Sequence, residues 1–372
     1  MLYVSKFATS QTKSFTQVAY HNIKSLMTQN INFEIRAQDE MLNWNESPPW
    51  IQDATTYFVG TQSDMSCALV HLLPADLLRT VYRDKDKAIG LTAFETTKIP
   101  DWIAGGYNEN YKGLIVPSGY NKKALERSGV TIPIRVVPHA LGEWWLKDYP
   151  PLPDKDDTYV FGFAGFWNSR KNPMTLLKAY LTAFPEPSEN QHLLLKTFRG
   201  GDVEGYIQSL CGSARPDIWV YNEEWSEDQM VWGFRMMDCY VSPHKGEAFG
   251  LTLAQSAALG KSTIYTNFSA PTEWLSAPHH HAVRYDLTSV TEGDLKPGYD
   301  HLEVATLDWA DIKFDELVAK LKELAETKPR HGYANTELSQ FREKLTWESV
   351  GSSFVDAIED IMDISLARKP TP

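Results

Sequence analysis

Short apolar runs alternate with amphipathic stretches along most of the chain. In the first half, Leu2–Val4, Phe33–Ile35, Thr56–Val59, Ala68–Leu72, Ala88–Leu91, Gly113–Val116 and Ile134–Val137 read as strands. A helical period runs through Gln17–Met27, and Tyr120–Ser128 reads as a helix stopped by Gly129. Uninterrupted apolar strands separated by helices are the pattern of βαβ units on a parallel sheet, whose two faces are both covered.

Between Asp148 and Asp157 the composition turns to Tyr-Pro-Pro-Leu-Pro with several charges. Proline lacks a donor and suits neither a helix interior nor a central strand, so the interdomain linker is placed there. The pattern then resumes with strand Tyr159–Ala164, helix Pro173–Phe184, strand His192–Thr197, helix Val203–Cys211, strand Ile218–Tyr221, helix Ser226–Met237, strand Cys239–Val241, helix Leu251–Leu259 and strand Ser262–Thr266. Phe314–Glu326 and Ser349–Ile361 are amphipathic. The expected fold class is α/β, with one Rossmann-like, doubly wound domain over residues 1–150 and a second over residues 151–340. Residues 341–372 are expected to pack back on the first domain.

Composition narrows the function classes. A chain of 372 residues suits two domains better than one core, and 42% apolar residues with twelve Trp mark a globular protein. A formal charge of −12 argues against a protein that coats nucleic acid, which needs a Lys/Arg surface to neutralise phosphates. No run approaches the roughly 20 apolar residues of a membrane-spanning helix, and the segment from Met1 to Phe7 reads as a strand rather than a signal peptide. A soluble, cytoplasmic protein with no membrane span is expected. Cys67, Cys211 and Cys239 lack metal-ligand spacing and read as reduced, mostly buried thiols. The run His279–His281 reads as an exposed loop whose consecutive rings do not share one face, and no metal site is expected.

Ligands of open α/β sheets bind beyond the carboxyl ends of strands, so the turns that follow strands carry the candidate chemistry. After Tyr159–Ala164 come Gly165, Phe166, Asn168, Arg170 and Lys171, ahead of a helix opened by Pro173. Cations between a strand end and a helix start suit a diphosphate, although a lone Arg-Lys pair also reads as a solvated turn. After Cys239–Val241 comes His-Lys-Gly246-Glu247-Ala248-Phe249-Gly250-Leu251, whose glycines let backbone approach an anion while Glu247 offers a carboxylate to sugar hydroxyls. A helix cap explains the same pattern taken alone. The turn from Thr266 to Trp274 offers hydroxyls and a carboxylate, with Ser269 or Thr272 as an ordinary cap.

Taken in order, Phe-Trp-Asn-Ser-Arg-Lys-Asn, Leu-Leu-Leu-Lys196-Thr-Phe, Gly246-Glu-Ala-Phe-Gly-Leu, Gly260-Lys-Ser-Thr-Ile and Ala270-Pro-Thr-Glu-Trp-Leu resemble the GT-B family of retaining glycosyltransferases related to glycogen and sucrose synthases. Ile89-Gly-Leu-Thr-Ala-Phe-Glu-Thr-Thr, Val116-Pro-Ser-Gly-Tyr-Asn and Val136-Val-Pro-His-Ala extend the resemblance over most of residues 88–290.

The resemblance implies two Rossmann-like domains facing across a cleft and transfer of a sugar from a nucleoside diphosphate sugar, UDP- or GDP-linked, to an acceptor hydroxyl of a saccharide or small molecule. It implies no obligatory cofactor or metal. Glu247 matches the first glutamate of the family's E-x7-E motif, and the second is replaced by Gln255. Lys171 matches the diphosphate-binding lysine, six residues after Gly165; Phe166 stands where a partner arginine is usual, and Arg170 is expected to take its place. Ala248, Phe249, Gly250 and Leu251 follow the motif glutamate, and Lys196 and Glu223 are further donor-site candidates. Lys13, Glu95 and His139 are candidates for the acceptor or the cleft, each with a structural role equally open.

Two other readings stand beside this one. The same architecture serves DNA glycosyltransferases acting on a hydroxymethylated base, with Lys13, Lys122, Lys123 and Arg127 as its basic candidates. A non-catalytic nucleotide-sugar binding module would account for Gln255 as decayed chemistry. The oligomeric state is not legible.

Overall fold

The computed structural model describes residues 1–5, 14–37, 49–51, 67–72, 77, 85–150, 152, 158–198, 200–291, 307–329 and 335–366. Within these the chain forms β1 (Leu2–Ser5), α1 (Ser14–Thr28), β2 (Glu34–Ala37), β3 (Ala68–His71), β4 (Ala88–Leu91), α2 (Asp101–Asn110), β5 (Gly113–Val116), α3 (Gly119–Arg127) and β6 (Ile134–Val136). It continues with β7 (Tyr159–Ala164), α4 (Pro173–Ala183), β8 (Gln191–Thr197), α5 (Val203–Cys211), β9 (Ile218–Asn222), α6 (Glu227–Met236), β10 (Cys239–Ser242), α7 (Leu251–Ala258), β11 (Ser262–Thr266) and β12 (His280–Val283). The last elements are β13 (Tyr285–Ser289), β14 (Asp308–Ile312), α8 (Phe314–Thr327), α9 (Asn335–Glu343) and α10 (Trp347–Met362).

The chain divides into two compact units. Among the described residues, one holds those of Met1–Glu143 and Arg342–Pro372 with Leu307, and the other holds those of Trp144–Pro297 and Asp308–Phe341. Residues 144–150 go with the second unit because Trp145 packs edge-on to Phe234 at 5.3 Å and Tyr149 lies under the Arg235 guanidinium at 4.6 Å. Of the expected linker, residues 151 and 153–157 lie outside the described residues, as does the expected strand Thr56–Val59.

The first unit carries a parallel sheet in the order β2-β1-β3-β4-β5-β6. Its core joins Tyr3, Leu69 and Ile89 from the strands to Ile23 and Leu26 of α1 and to Val350, Phe354 and Ile358 of α10. The last helix therefore completes the first unit's core. Gly351 permits this: a Cβ there would lie 2.2 Å from the Ser25 carbonyl oxygen, so only glycine lets the two helix backbones approach so closely. Trp347 seals the other end by donating from Nε1 to His21 Nδ1 at 2.9 Å and stacking on Trp50 at 5.5 Å.

The second unit carries a parallel sheet in the order β9-β8-β7-β10-β11-β12. Counted within the unit this is the order 3-2-1-4-5-6 of dinucleotide-binding folds, with the strand order, not the strand direction, reversing between β7 and β10. Tyr159, Phe161, Leu193, Leu195 and Ile264 form the sheet's contribution to a core closed by Leu176 and Tyr180 of α4 and by Leu317, Leu321 and Leu324 of α8. β13 and β14 form a separate antiparallel ribbon. Cys67 and Cys239 are buried and Cys211 is half-buried, and none of the three forms a disulfide. Among the described residues no helix is long and apolar enough to cross a membrane.

Candidate functional site

At the point where strand order reverses, the turns after two adjacent strands diverge and leave room for a ligand. In the second unit those turns follow β7 and β10, so the fold places the Gly165–Lys171 segment beside the Gly246–Gly250 segment.

The first turn is built by asparagines. Asn168 accepts the Asn172 N–H on its carbonyl at 3.0 Å and the Lys171 N–H on its side-chain oxygen at 2.9 Å. Asn172 is left-handed, with φ 56°, a conformation asparagine tolerates better than most residues. Pro173 then opens α4 at a position whose missing donor has no helical partner to lose. The Asn172 amide donates to the Pro243 carbonyl at 3.2 Å, Lys245 N–H donates to the Arg170 carbonyl at 2.8 Å, and the Arg170 guanidinium donates to the Gly246 carbonyl at 2.8 Å. The two turns are therefore one hydrogen-bonded body.

The second turn is fixed from the other side. Glu247 N–H donates to Ser269 Oγ at 2.9 Å, and its carbonyl accepts from Ala270 N–H at 3.3 Å. Ser269 has φ 64° and ψ −159°, a region that costs a residue with a Cβ about 1–3 kcal/mol. Gly250 starts α7 at φ 86°, where a Cβ would also lie 3.0 Å from Pro271 Cγ, so the residue must be glycine. Ala310 N–H on β14 donates to the Lys245 carbonyl at 2.8 Å, which braces the turn against the ribbon.

On this frame the side chains converge. Lys171 Nζ donates to Glu247 Oε1 at 2.5 Å, and Arg170 Nη1 lies 3.4 Å from Oε2. The carboxylate is 8% exposed, Lys171 16% and Arg170 22%, so a small ligand reaches the cations more readily than the acid. Burial would raise the Glu247 carboxyl, but the charges of Lys171 and Arg170 overcome it and hold the group down at about 2. His244, fully buried beneath the turn, is pushed down to about 4 by burial and stays neutral near pH 7; its Nδ1 lies 3.0 Å from Ser242 Oγ.

Because the Glu247 pKa is depressed in the folded chain, its stabilising contribution is complete above the ordinary carboxylate value and is lost as pH falls toward 2. The shift from 4.5 to about 2 corresponds to about 3 kcal/mol. The melting-temperature gap between the native chain and Glu247→Gln is expected to close between about pH 5 and pH 2; a gap independent of pH contradicts the pairing.

The other expected donor-site residues lie around this centre. Gly165 donates to the Lys196 carbonyl at 3.0 Å, and Phe166 is half-buried with its ring 6.4 Å from Phe198. Ala248 and Phe249 are buried, Leu251 is the first residue of α7, and Gln255 is buried within that helix. Lys196 and Glu223 sit at the next two strand tips: Lys196 Nζ donates to the Glu223 carbonyl at 2.6 Å and lies 5.2 Å from the Trp225 ring centre. Burial lowers the Lys196 ammonium to about 8 against the pull of Glu223 and Glu224.

Glu95 and His139 belong to the first unit, in the turns after β4 and β6, and both are half-buried. Burial pushes His139 down to about 4. Lys13 lies outside the described residues. Lys122 faces Glu126 at 3.9 Å on α3, so the basic face expected there carries acid as well.

The structure corrects the reading of the histidine run. His280 and His281 open strand β12 rather than an exposed loop, His279 and His280 are buried, and His280 Nδ1 lies 2.9 Å from Thr263 Oγ1. Among the described residues no three His, Cys, Asp or Glu side chains are grouped to hold a metal ion. Two contributors were not foreseen: Asn172 as the staple between turns and Ser269 as the acceptor for Glu247 N–H. An asparagine preceding a helix-opening proline was the available signal for the first.

Comparison with solved structures agrees with the sheet orders. Sucrose-phosphate synthase from Thermosynechococcus elongatus superposes with a TM-score of 0.63 at 13% identity over 97% of this chain and 98% of its own. The fold is GT-B. An E. coli trehalose-6-phosphate structure with UDP-2-fluoro glucose bound shares this GT-B arrangement with a TM-score of 0.60 at 11% identity, over 98% and 99% of the two chains. S. aureus TarM, in a complex that includes UDP, matches with a TM-score of 0.55 at 9% identity over 80% of this chain; the present chain spans only 56% of TarM. No protein-family model and no curated protein sequence matches the chain.

Proposed function

We propose that this protein is a glycosyltransferase that moves a sugar from a nucleoside diphosphate sugar to an acceptor hydroxyl, with retention at the anomeric carbon. The observation that carries the reading is the convergence of Arg170, Lys171 and Glu247 on the two turns that flank the strand-order reversal of the second unit.

In this reading Lys171 and Arg170 take the diphosphate, helped by the N–H groups at the start of α7, and Glu247 faces the sugar hydroxyls. The bond from the anomeric carbon to the diphosphate oxygen breaks, its electron pair leaves with the diphosphate, the acceptor oxygen forms the new bond on the face the diphosphate leaves, and the acceptor's proton passes to the departing diphosphate oxygen. Fixed cations beside the leaving group stabilise the charge that develops there. Gln255 offers both a donor and an acceptor to the nucleotide's ribose diol, without the strength of a carboxylate. UDP occurs in two of the structural neighbours, which favours a UDP-sugar over a GDP-sugar as donor. The acceptor is a saccharide or small-molecule hydroxyl.

The test is a panel of UDP-, GDP- and ADP-sugars incubated with the protein, following release of nucleoside diphosphate with and without added saccharides. Consumption of one donor, inhibited by its own nucleoside diphosphate, is the expected result. If no donor is consumed and Glu247→Ala binds nucleotide sugars as well as the native chain does, the protein is a binding module instead.

A further inference from the structure

The cations that the proposed function assigns to the diphosphate already have an anion. Lys171 Nζ sits 2.5 Å from Glu247 Oε1, and Arg170 Nη1 sits 3.4 Å from Oε2. The backbone of Glu247 cannot retreat, since Ser269 Oγ holds its N–H at 2.9 Å and Ala270 N–H holds its carbonyl at 3.3 Å. Lys171 and Arg170 are likewise anchored through Asn168 and the Gly246 carbonyl. Competition between Glu247 and an incoming diphosphate is thus confined to one side chain turning between two sets of partners.

Resting on the donor-site reading above, we infer that Glu247 is the residue that separates donor from product: it releases the two cations only when a sugar hydroxyl replaces them. A nucleoside diphosphate sugar brings both a diphosphate for Lys171 and Arg170 and hydroxyls for the carboxylate. A buried carboxylate left without a donor is costly, so the exchange is favourable only while the sugar is present. After transfer the sugar has gone, and the carboxylate's remaining partners are the cations. It returns to them and expels the nucleoside diphosphate. The same device weakens the binding of free nucleoside diphosphate relative to the donor.

The test is calorimetric titration of UDP, UDP-glucose and inorganic pyrophosphate into the native chain, Glu247→Gln, Glu247→Ala and Lys171→Ala, each checked for an intact thermal transition. Both Glu247 variants are expected to bind UDP and pyrophosphate roughly tenfold more tightly than the native chain, the range of a coupling between competing ligands. UDP-glucose affinity is expected to gain less or to fall, so the preference for donor over product shrinks. Equal or weaker UDP binding by both variants overturns the inference. If Lys171→Ala binds UDP as well as the native chain does, the donor-site reading itself fails, whatever the Glu247 variants show; if no protein binds either UDP or pyrophosphate, both fail.

Discussion

Lys171→Ala is expected to lower kcat/KM for transfer by roughly 10²–10³, the loss found when one fixed donor to a developing anion is removed. The expectation rests on position. Lys171 stands six residues after the strand-end glycine, its backbone N–H is held by Asn168, and its ammonium lies at the strand-order reversal. The substitution removes a charge that no neighbour replaces, because Arg170 is tied to the Gly246 carbonyl and reaches Glu247 only at 3.4 Å. Arg170→Ala is expected to cost less for the same reason. Steady-state kinetics on the consumed donor checks both, with the drop falling on kcat as well as KM if the charge acts mainly on the leaving diphosphate. Unchanged kcat in Lys171→Ala contradicts the assignment.

The largest effect on stability is expected at Arg215, far in sequence from the site. Its Nε and Nη2 meet the two oxygens of Asp217 at 2.9 and 2.7 Å, and Nη2 also donates to the Phe184 carbonyl at 3.0 Å. Tyr180 donates to the same carboxylate at 3.2 Å, and the paired side chains are only 2% and 0% exposed. Removing one member of such a pair leaves a charge without compensation in a place water does not reach. Arg215→Ala is therefore expected to cost about 3–5 kcal/mol and to lower the melting temperature of the second unit by roughly 6–20 °C. The double replacement Arg215→Met with Asp217→Leu is expected to recover most of that loss, since it removes both charges together. Equal losses in the single and double variants, seen by scanning calorimetry, contradict this account of the pair.

Much of the fold was legible because buried parallel strands are written as plain apolar runs. Gly113–Val116, Tyr159–Ala164 and Ser262–Thr266 form strands with the bounds expected from the sequence. What escaped notice had other compositions. Helix Asp101–Asn110 contains Gly105, Gly106 and two asparagines, which read as loop, and it buries only Ile103, Ala104 and Tyr107. The β13–β14 ribbon alternates polar residues along Tyr285–Ser289 and pairs with a strand distant in sequence, so no local signal announces it. Its consequence for the site, the brace from Ala310 to Lys245, was equally hidden.

The candidate site was legible residue by residue and not as a unit. Lys171 could be counted from Gly165, and Glu247 read from its flanking glycines. That the two side chains bond to each other depends on β7 lying beside β10, a consequence of strand order between residues 76 positions apart. Positive φ at Asn172 and Ser269 is a further tertiary result, since neither residue demands that conformation by itself.

The central claim is that the turns after β7 and β10 grip a diphosphate. A crystal structure of the protein with an intact, non-transferable analogue of its consumed donor tests it most directly. Diphosphate oxygens within hydrogen-bonding distance of Lys171 Nζ, beside the first turn of α7, are the predicted result. A nucleotide bound elsewhere on the second unit, with Lys171 still closed on Glu247, would contradict it.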